Sequence, residues 1–141
     1  MRLSLGIIVG LLLFSCSKEQ NWKVSDRYPN GEVKIQKGYL LEGQDTVFNY
    51  LKVFYNDGNL QLEGALKDGE RTGKWTSYFQ QGGKWSETHF ENGKSQGESK
   101  SYYENGNLRY EGNYSQGEKA GHWNLYDSTG TKMKGADYDK K

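Results

Sequence analysis

Three carboxylates, Glu63, Glu87 and Glu111, recur at intervals of 24 residues. If one falls on every second strand of a sheet, successive members stand roughly 9.5 Å apart, which loosely resembles the carboxylate spacing of inverting glycosidases. The same residues equally describe a solvated stripe that pairs with Lys and Arg on adjacent strands, and this is the reading we adopt. Other catalytic sets are thinner. Ser86, Ser95, His89 and Asp68 supply the residue types of a nucleophilic triad, but no Gly-x-Ser-x-Gly elbow accompanies them. His89 and His122 are the only histidines and occupy non-equivalent places in the repeat, so a metal site would need carboxylates converging by accident. Gly82-Gly83 precedes no helix and reads as a turn, not a phosphate loop. The sequence therefore predicts no catalytic residue, no metal and no cofactor.

The elements that would position these side chains come from the same period. Tyr55, Phe79 and Tyr103 stand in register, followed by Gly58, Gly82 and Gly106, then Gly69, Gly93 and Gly117, then Gly73, Gly97 and Gly121. A fixed period of this length marks an array in which each unit buries its apolar face only against its neighbours. Residues 60–67 alternate Leu60, Leu62 and Leu66 with Gln61, Glu63 and Ala65, the pattern of a half-buried strand. Asp68-Gly69 and Asn92-Gly93 are hairpin signals, and a return strand is expected over residues 74–79. The fold class is all-β, a single-layer antiparallel meander of about nine strands built from hairpin repeats.

Strand parity sorts the side chains into two faces. Leu51, Val53, Tyr55, Trp75, Phe79, Leu108, Tyr110, Gly112, Tyr114, Trp123 and Leu125 share an apolar face, with Gly64 beneath it. Phe54, Tyr78, Tyr102 and Tyr126 fall on the other face unless a bulge intervenes, and form a ladder that is a candidate binding surface. The first copy is longer: Gly31 to Gly58 spans 27 residues, so three extra residues are expected in a loop at residues 42–45. The last copy is truncated, and its Asp127 stands where an aromatic is expected, as a capped array requires.

The N-terminus reads as a processing signal. Arg2 precedes an apolar run at residues 5–14, too short to span a bilayer. Cys16, the chain's single cysteine, follows Ser15. Leu13-Phe14-Ser15-Cys16 resembles the lipobox of bacterial lipoproteins, which implies a signal peptide over residues 1–15 and lipidation at Cys16; the alternative is an ordinary secretory leader with an incidental thiol. Two or more acyl chains anchor a protein stably, so the expected partner at this end is the membrane. Ser17 stands where a retained inner-membrane lipoprotein would carry aspartate, which directs the expectation to the outer membrane or cell surface of the envelope. Residues 16–27 read as a lipidated tether and residues 28–141 as the repeat domain. Without Arg2 the charges balance and are interspersed, so no nucleic-acid partner is expected.

At Tyr103-Glu104-Asn105-Gly106-Asn107-Leu108-Arg109-Tyr110-Glu111-Gly112-Asn113-Tyr114, followed by Gly117, Gly121, Trp123 and Tyr126, the sequence resembles the MORN repeat variant family, which includes the YwqK-type antitoxins. Residues 54–78 carry the pattern through Tyr55, Gly58, Glu63-Gly64, Gly69, Gly73 and Trp75, while Thr88 and Ser99 replace the glycine and tryptophan of the copy between them. The resemblance implies a non-enzymatic repeat scaffold for protein contact, with an antitoxin-like or immunity-like role as one form. A glycan- or lipid-binding module using the tyrosine ladder is the alternative.

Overall fold

The computed structural model describes residues 19–138; the expectations for residues 1–15, for Cys16 and for the beginning of the tether lie outside them. Ten strands follow one another in chain order: β1 (Asn21–Arg27), β2 (Val33–Glu42), β3 (Asp45–Phe54), β4 (Leu60–Lys67), β5 (Glu70–Tyr78), β6 (Lys84–Glu91), β7 (Lys94–Tyr102), β8 (Leu108–Ser115), β9 (Glu118–Leu125) and β10 (Ala136–Tyr138). Each pairs antiparallel with the next, giving one open sheet in the order β1 to β10. The expected all-β meander is what the chain forms, with one strand more than anticipated.

That strand is β1, in a segment read from sequence as tether. Its pairing runs from Asn21↔Tyr39 to Arg27↔Val33, with shifts around Asp26 and a Lys34–Asp26 ion pair of 3.2 Å across the ladder. The irregularity, with Lys23, Asp26 and Arg27 on an edge strand, blunts the exposed edge against further pairing.

Both rims of the sheet are made by repeated turns. On one rim the two-residue loops Asp68-Gly69, Asn92-Gly93 and Gln116-Gly117 have positive φ at both positions, the type I′ geometry that matches strand twist. On the other rim, five-residue turns close through paired main-chain bonds, as in Tyr103 N–H to Asn107 O (2.8 Å) and Gly106 N–H to Tyr103 O (2.9 Å). Tyrosines staple three of these turns to the next: Tyr28 Oη–H donates to Phe54 O, Tyr55 to Tyr78 O and Tyr103 to Tyr126 O, at 2.8, 2.9 and 3.0 Å. Asp127, the aromatic's replacement in the last turn, instead accepts from the backbone of Thr129 and Thr131 through Oδ1.

Two expectations change. The return strand does not start after Gly73; Gly73 and its equivalents Gly97 and Gly121 lie inside β5, β7 and β9, where two extra residues oppose the neighbouring strand. Their positive φ of 65°, 83° and 64° makes a wide bulge that bends the sheet once per repeat, and β5 consequently begins at Glu70, before the expected return strand. The three extra residues of the first copy also form no loop. The turn between Glu42 and Asp45 is tight, and the added length goes into ten-residue strands β2 and β3 with a bulge between Gly38 and Tyr39.

Burial is concentrated in a few side chains of a single layer. Trp75 and Trp123 are 2% and 1% exposed, because each indole lies flat over a glycine on the neighbouring strand. A Cβ at Gly64 or Gly112 would collide with the Trp75 or Trp123 ring, so the absence of a side chain is what admits the ring. Each indole N–H then donates across the same strand, Trp75 to Ala65 O (3.0 Å) and Trp123 to Asn113 O (3.2 Å).

Candidate interaction surface

The two faces separate as parity predicts except at Leu108, which the bulge at Arg109 sets opposite Tyr102 and so on the tyrosine side. On the apolar face the rings form clusters around each tryptophan: Trp75 meets Phe90 at 6.2 Å between centroids, and Trp123 meets Tyr110, Tyr114 and Tyr138 at 5.8, 5.1 and 6.3 Å. A cation caps each cluster. The Arg71 guanidinium lies 4.5 Å from the Trp75 ring, and the Lys119 ammonium lies 4.4 Å from Trp123 and 5.2 Å from Tyr138. Leu125 and Tyr138 remain exposed at the border of the Trp123 cluster. Sequence reading missed both cations, although their separation of two periods was a usable signal.

Opposite this face, the structure brings together the predicted ladder and the glutamate stripe. Bulges do fall next to Phe54, Tyr78 and Tyr102, but the extra residue lies on the following strand, so the ladder keeps its side. Tyr78, Tyr102 and Tyr126 donate their hydroxyls to Glu63, Glu87 and Glu111 at 2.8, 2.9 and 2.8 Å. Phe54 occupies the first rung without a hydroxyl, and all four rings are half-buried. Burial, then the bond to Glu63, pushes the Tyr78 hydroxyl up to about 12. Burial likewise raises Tyr102, whereas for Tyr126 the bond to Glu111 is the leading cause.

Glu87 is the electrostatic centre of the stripe. Lys84 Nζ lies 2.9 Å and Lys74 Nζ 3.2 Å from its Oε1. The bond from Lys84 leads, with Tyr102 and Lys74 adding to it against the cost of burial, and together they lower its carboxyl to about 2. A carboxylate so firmly ionised cannot serve as the proton donor of a two-carboxylate hydrolase near neutral pH. Lys74, Glu87, His89, Glu98 and Lys100 line a shallow hollow of about 350 Å³, in which Lys100 pairs with Glu98 at 2.6 Å. The histidines do not converge: His89 Nδ1 lies 3.3 Å from Glu98 O, and His122 Nδ1 lies 2.6 Å from Asp137 Oδ1 on β10. Among the described residues, no group of three or more His, Cys, Asp or Glu could hold a metal ion.

At the N-terminal end, Trp22 joins the tyrosine face. Its ring meets Tyr50 edge-on at 5.8 Å and carries the Lys52 ammonium at 4.4 Å, while the Gln20 and Asn49 amides bond reciprocally beside it at 3.0 and 3.1 Å. Neither a curated protein nor a solved structure matches the chain. The family model described as MORN repeat variant matches residues 71–92 and 95–116. These two segments run from β5 through β6 and from β7 through β8, so the matched unit is centred on the five-residue turn and includes the copy that lacks its tryptophan. The chain thus carries two segments that match the MORN repeat variant.

Proposed function

We propose that the protein is a non-enzymatic scaffold, anchored to a bacterial cell envelope through lipid at Cys16, whose tryptophan face holds another protein. The observation that carries this reading is the Trp123 cluster, where Lys119 lies over three aromatic rings and Leu125 and Tyr138 remain exposed. Clustered aromatics are the composition of an interface centre, and among the described residues the single-layer sheet has no second layer to cover them. The antitoxin-like or immunity-like form of the reading, in which the contact blocks its partner, rests on the family resemblance alone.

The alternative, a glycan- or lipid-binding ladder at Phe54, Tyr78, Tyr102 and Tyr126, has less support. Three of its rungs commit their hydroxyls to glutamates, and all four rings are half-buried. The test is a photocrosslinking residue at Leu125 in the intact protein in its own cells, with a second at Lys100 on the opposite face. One reproducible protein adduct from Leu125, lost when Lys119 is changed to Glu, is the expected result. Adducts from Lys100 alone, or from neither position, would overturn the proposal.

A further inference from the structure

The β2–β3 hairpin is the part of the sheet that outruns its neighbours. β1 joins it only as far as Asn21↔Tyr39 and β4 only as far as Tyr50↔Ala65, while Tyr39↔Phe48, Leu40↔Val47, Leu41↔Thr46 and Glu42↔Asp45 continue the hairpin beyond them. β4 ends two residues past Ala65, whereas β3 begins five residues before Tyr50. Allowing for the bulge at Asn49, the overhang past β4 is two residues, roughly 7 Å.

This ribbon is apolar on both sides. Tyr39 and Phe48 share one side, with ring centroids 6.0 Å apart, and Leu41 has the same parity; Leu40 and Val47 take the other. Leu41 is 59%, Val47 41% and Phe48 37% exposed, so each side of the ribbon carries an exposed apolar side chain. A protein groove would meet one side of a two-stranded ribbon, whereas a fluid apolar medium meets both.

The chain also enters the fold on this rim. β1 starts at Asn21, opposite Tyr39, and Cys16 lies five residues earlier, a span of at most about 18 Å. The hairpin turn at Gly43-Gln44 lies four residues beyond Tyr39, about 14 Å along the same direction. A lipid on Cys16 is therefore close enough to let the turn reach the bilayer surface.

We infer that the β2–β3 hairpin seats in the interfacial layer of the lipid bilayer and fixes the angle at which the sheet stands on the membrane. This rests on the proposed anchoring at Cys16. Leu40, Leu41, Val47 and Phe48 enter the boundary between headgroups and acyl chains. Glu42 and Asp45, flanking the turn at the tip, hold it among the headgroups, so the ribbon lies tilted along the interface and does not enter tip-first. Lys37, whose ammonium lies 5.6 Å from the Phe48 ring, and Lys23, its cross-strand partner, reach the lipid phosphates from behind the apolar band.

Cys16 is the single cysteine and is blocked when lipidated, so an introduced cysteine takes one label per chain. The mature lipoprotein carrying Val47→Cys, or Leu41→Cys for the other side of the ribbon, is labelled with an environment-sensitive fluorophore. It is then placed in vesicles of phosphatidylethanolamine with a minority of phosphatidylglycerol. Glu104→Cys, in a turn on the opposite rim, is the reference. The expected result is a blue-shifted emission and severalfold stronger quenching by acyl-brominated lipid at both hairpin positions than at position 104. Equal quenching in protein that stays on the vesicles with one label per chain would overturn the hairpin inference while leaving the anchor intact. A second label per chain, on Cys16, would overturn the anchoring and the inference with it.

Discussion

The two outer repeats and the middle one solve the same packing problem differently. In β4–β5 and β8–β9 a tryptophan lies over a glycine, under a cation from the start of its own strand: Trp75 over Gly64 with Arg71, and Trp123 over Gly112 with Lys119. In β6–β7 the equivalent positions are Ser99, Thr88 and Ser95. There the Thr88 and Ser99 hydroxyls bond to each other at 2.8 Å, and Phe79 cannot make the turn staple that Tyr55 and Tyr103 make. The middle repeat gains on the opposite face, where Glu87 has two lysines. A repeat array needs continuity of its ladder more than identity of its contacts, so one unit can exchange ring packing for polar pairing while its neighbours hold the register.

The largest expected effect is in the outer repeats. Trp123→Ala removes a fully buried ring and is expected to cost about 3–5 kcal/mol of unfolding free energy. Gly112→Ala, which drives a methyl into that ring, is expected to cost about 1–3 kcal/mol. Urea unfolding followed by circular dichroism measures both. Equal, small losses for Trp123→Ala and Ser99→Ala would show that the ring-over-glycine contact does not distinguish the repeats.

Much of this contrast was legible in the residues. The 24-residue period places Gly64 and Gly112 on the same face as Trp75 and Trp123, and Tyr78, Tyr102 and Tyr126 on the same face as the glutamates. What parity could not give is which ring meets which glycine, since that depends on the bulges at Gly73 and Gly121, where a local signal for a turn is satisfied within a strand. β1 escaped because the shifts near Asp26 break its alternation. The long first hairpin escaped because three added residues fit a loop or longer strands equally well, and only pairing across the ladder decides between them.

A smaller effect separates single from paired changes in the middle repeat. Thr88→Ala alone leaves the Ser99 hydroxyl without its partner in a buried place, at an expected cost of about 1–2 kcal/mol. Thr88→Ala with Ser99→Ala removes both polar groups and is expected to be close to neutral, so the double variant should unfold at higher urea than the single one. An additive pair of losses would mean that the two hydroxyls are not each other's principal partners, and the polar exchange proposed for this repeat would fail.

The smallest effect lies in acid and concerns the same repeat from its other face. Glu87 has its carboxyl depressed to about 2 by Lys84 first, with help from Tyr102 and Lys74, from an ordinary value near 4.5 in the unfolded chain. A depressed carboxyl contributes stability that is fully present above the unfolded value and disappears as pH falls from about 4.5 through about 2. The two lysines are about half exposed, so solvent screening limits the contribution to about 1 kcal/mol. In Glu87→Gln the acid limb of the stability profile should flatten by that amount over this window, with little further change above it, and salt should shrink the difference between variant and parent. An unchanged acid limb would place the stabilisation of the middle repeat in its hydroxyl pair and ladder bonds, and would leave the lysines as surface companions of a carboxylate that Tyr102 alone holds in position.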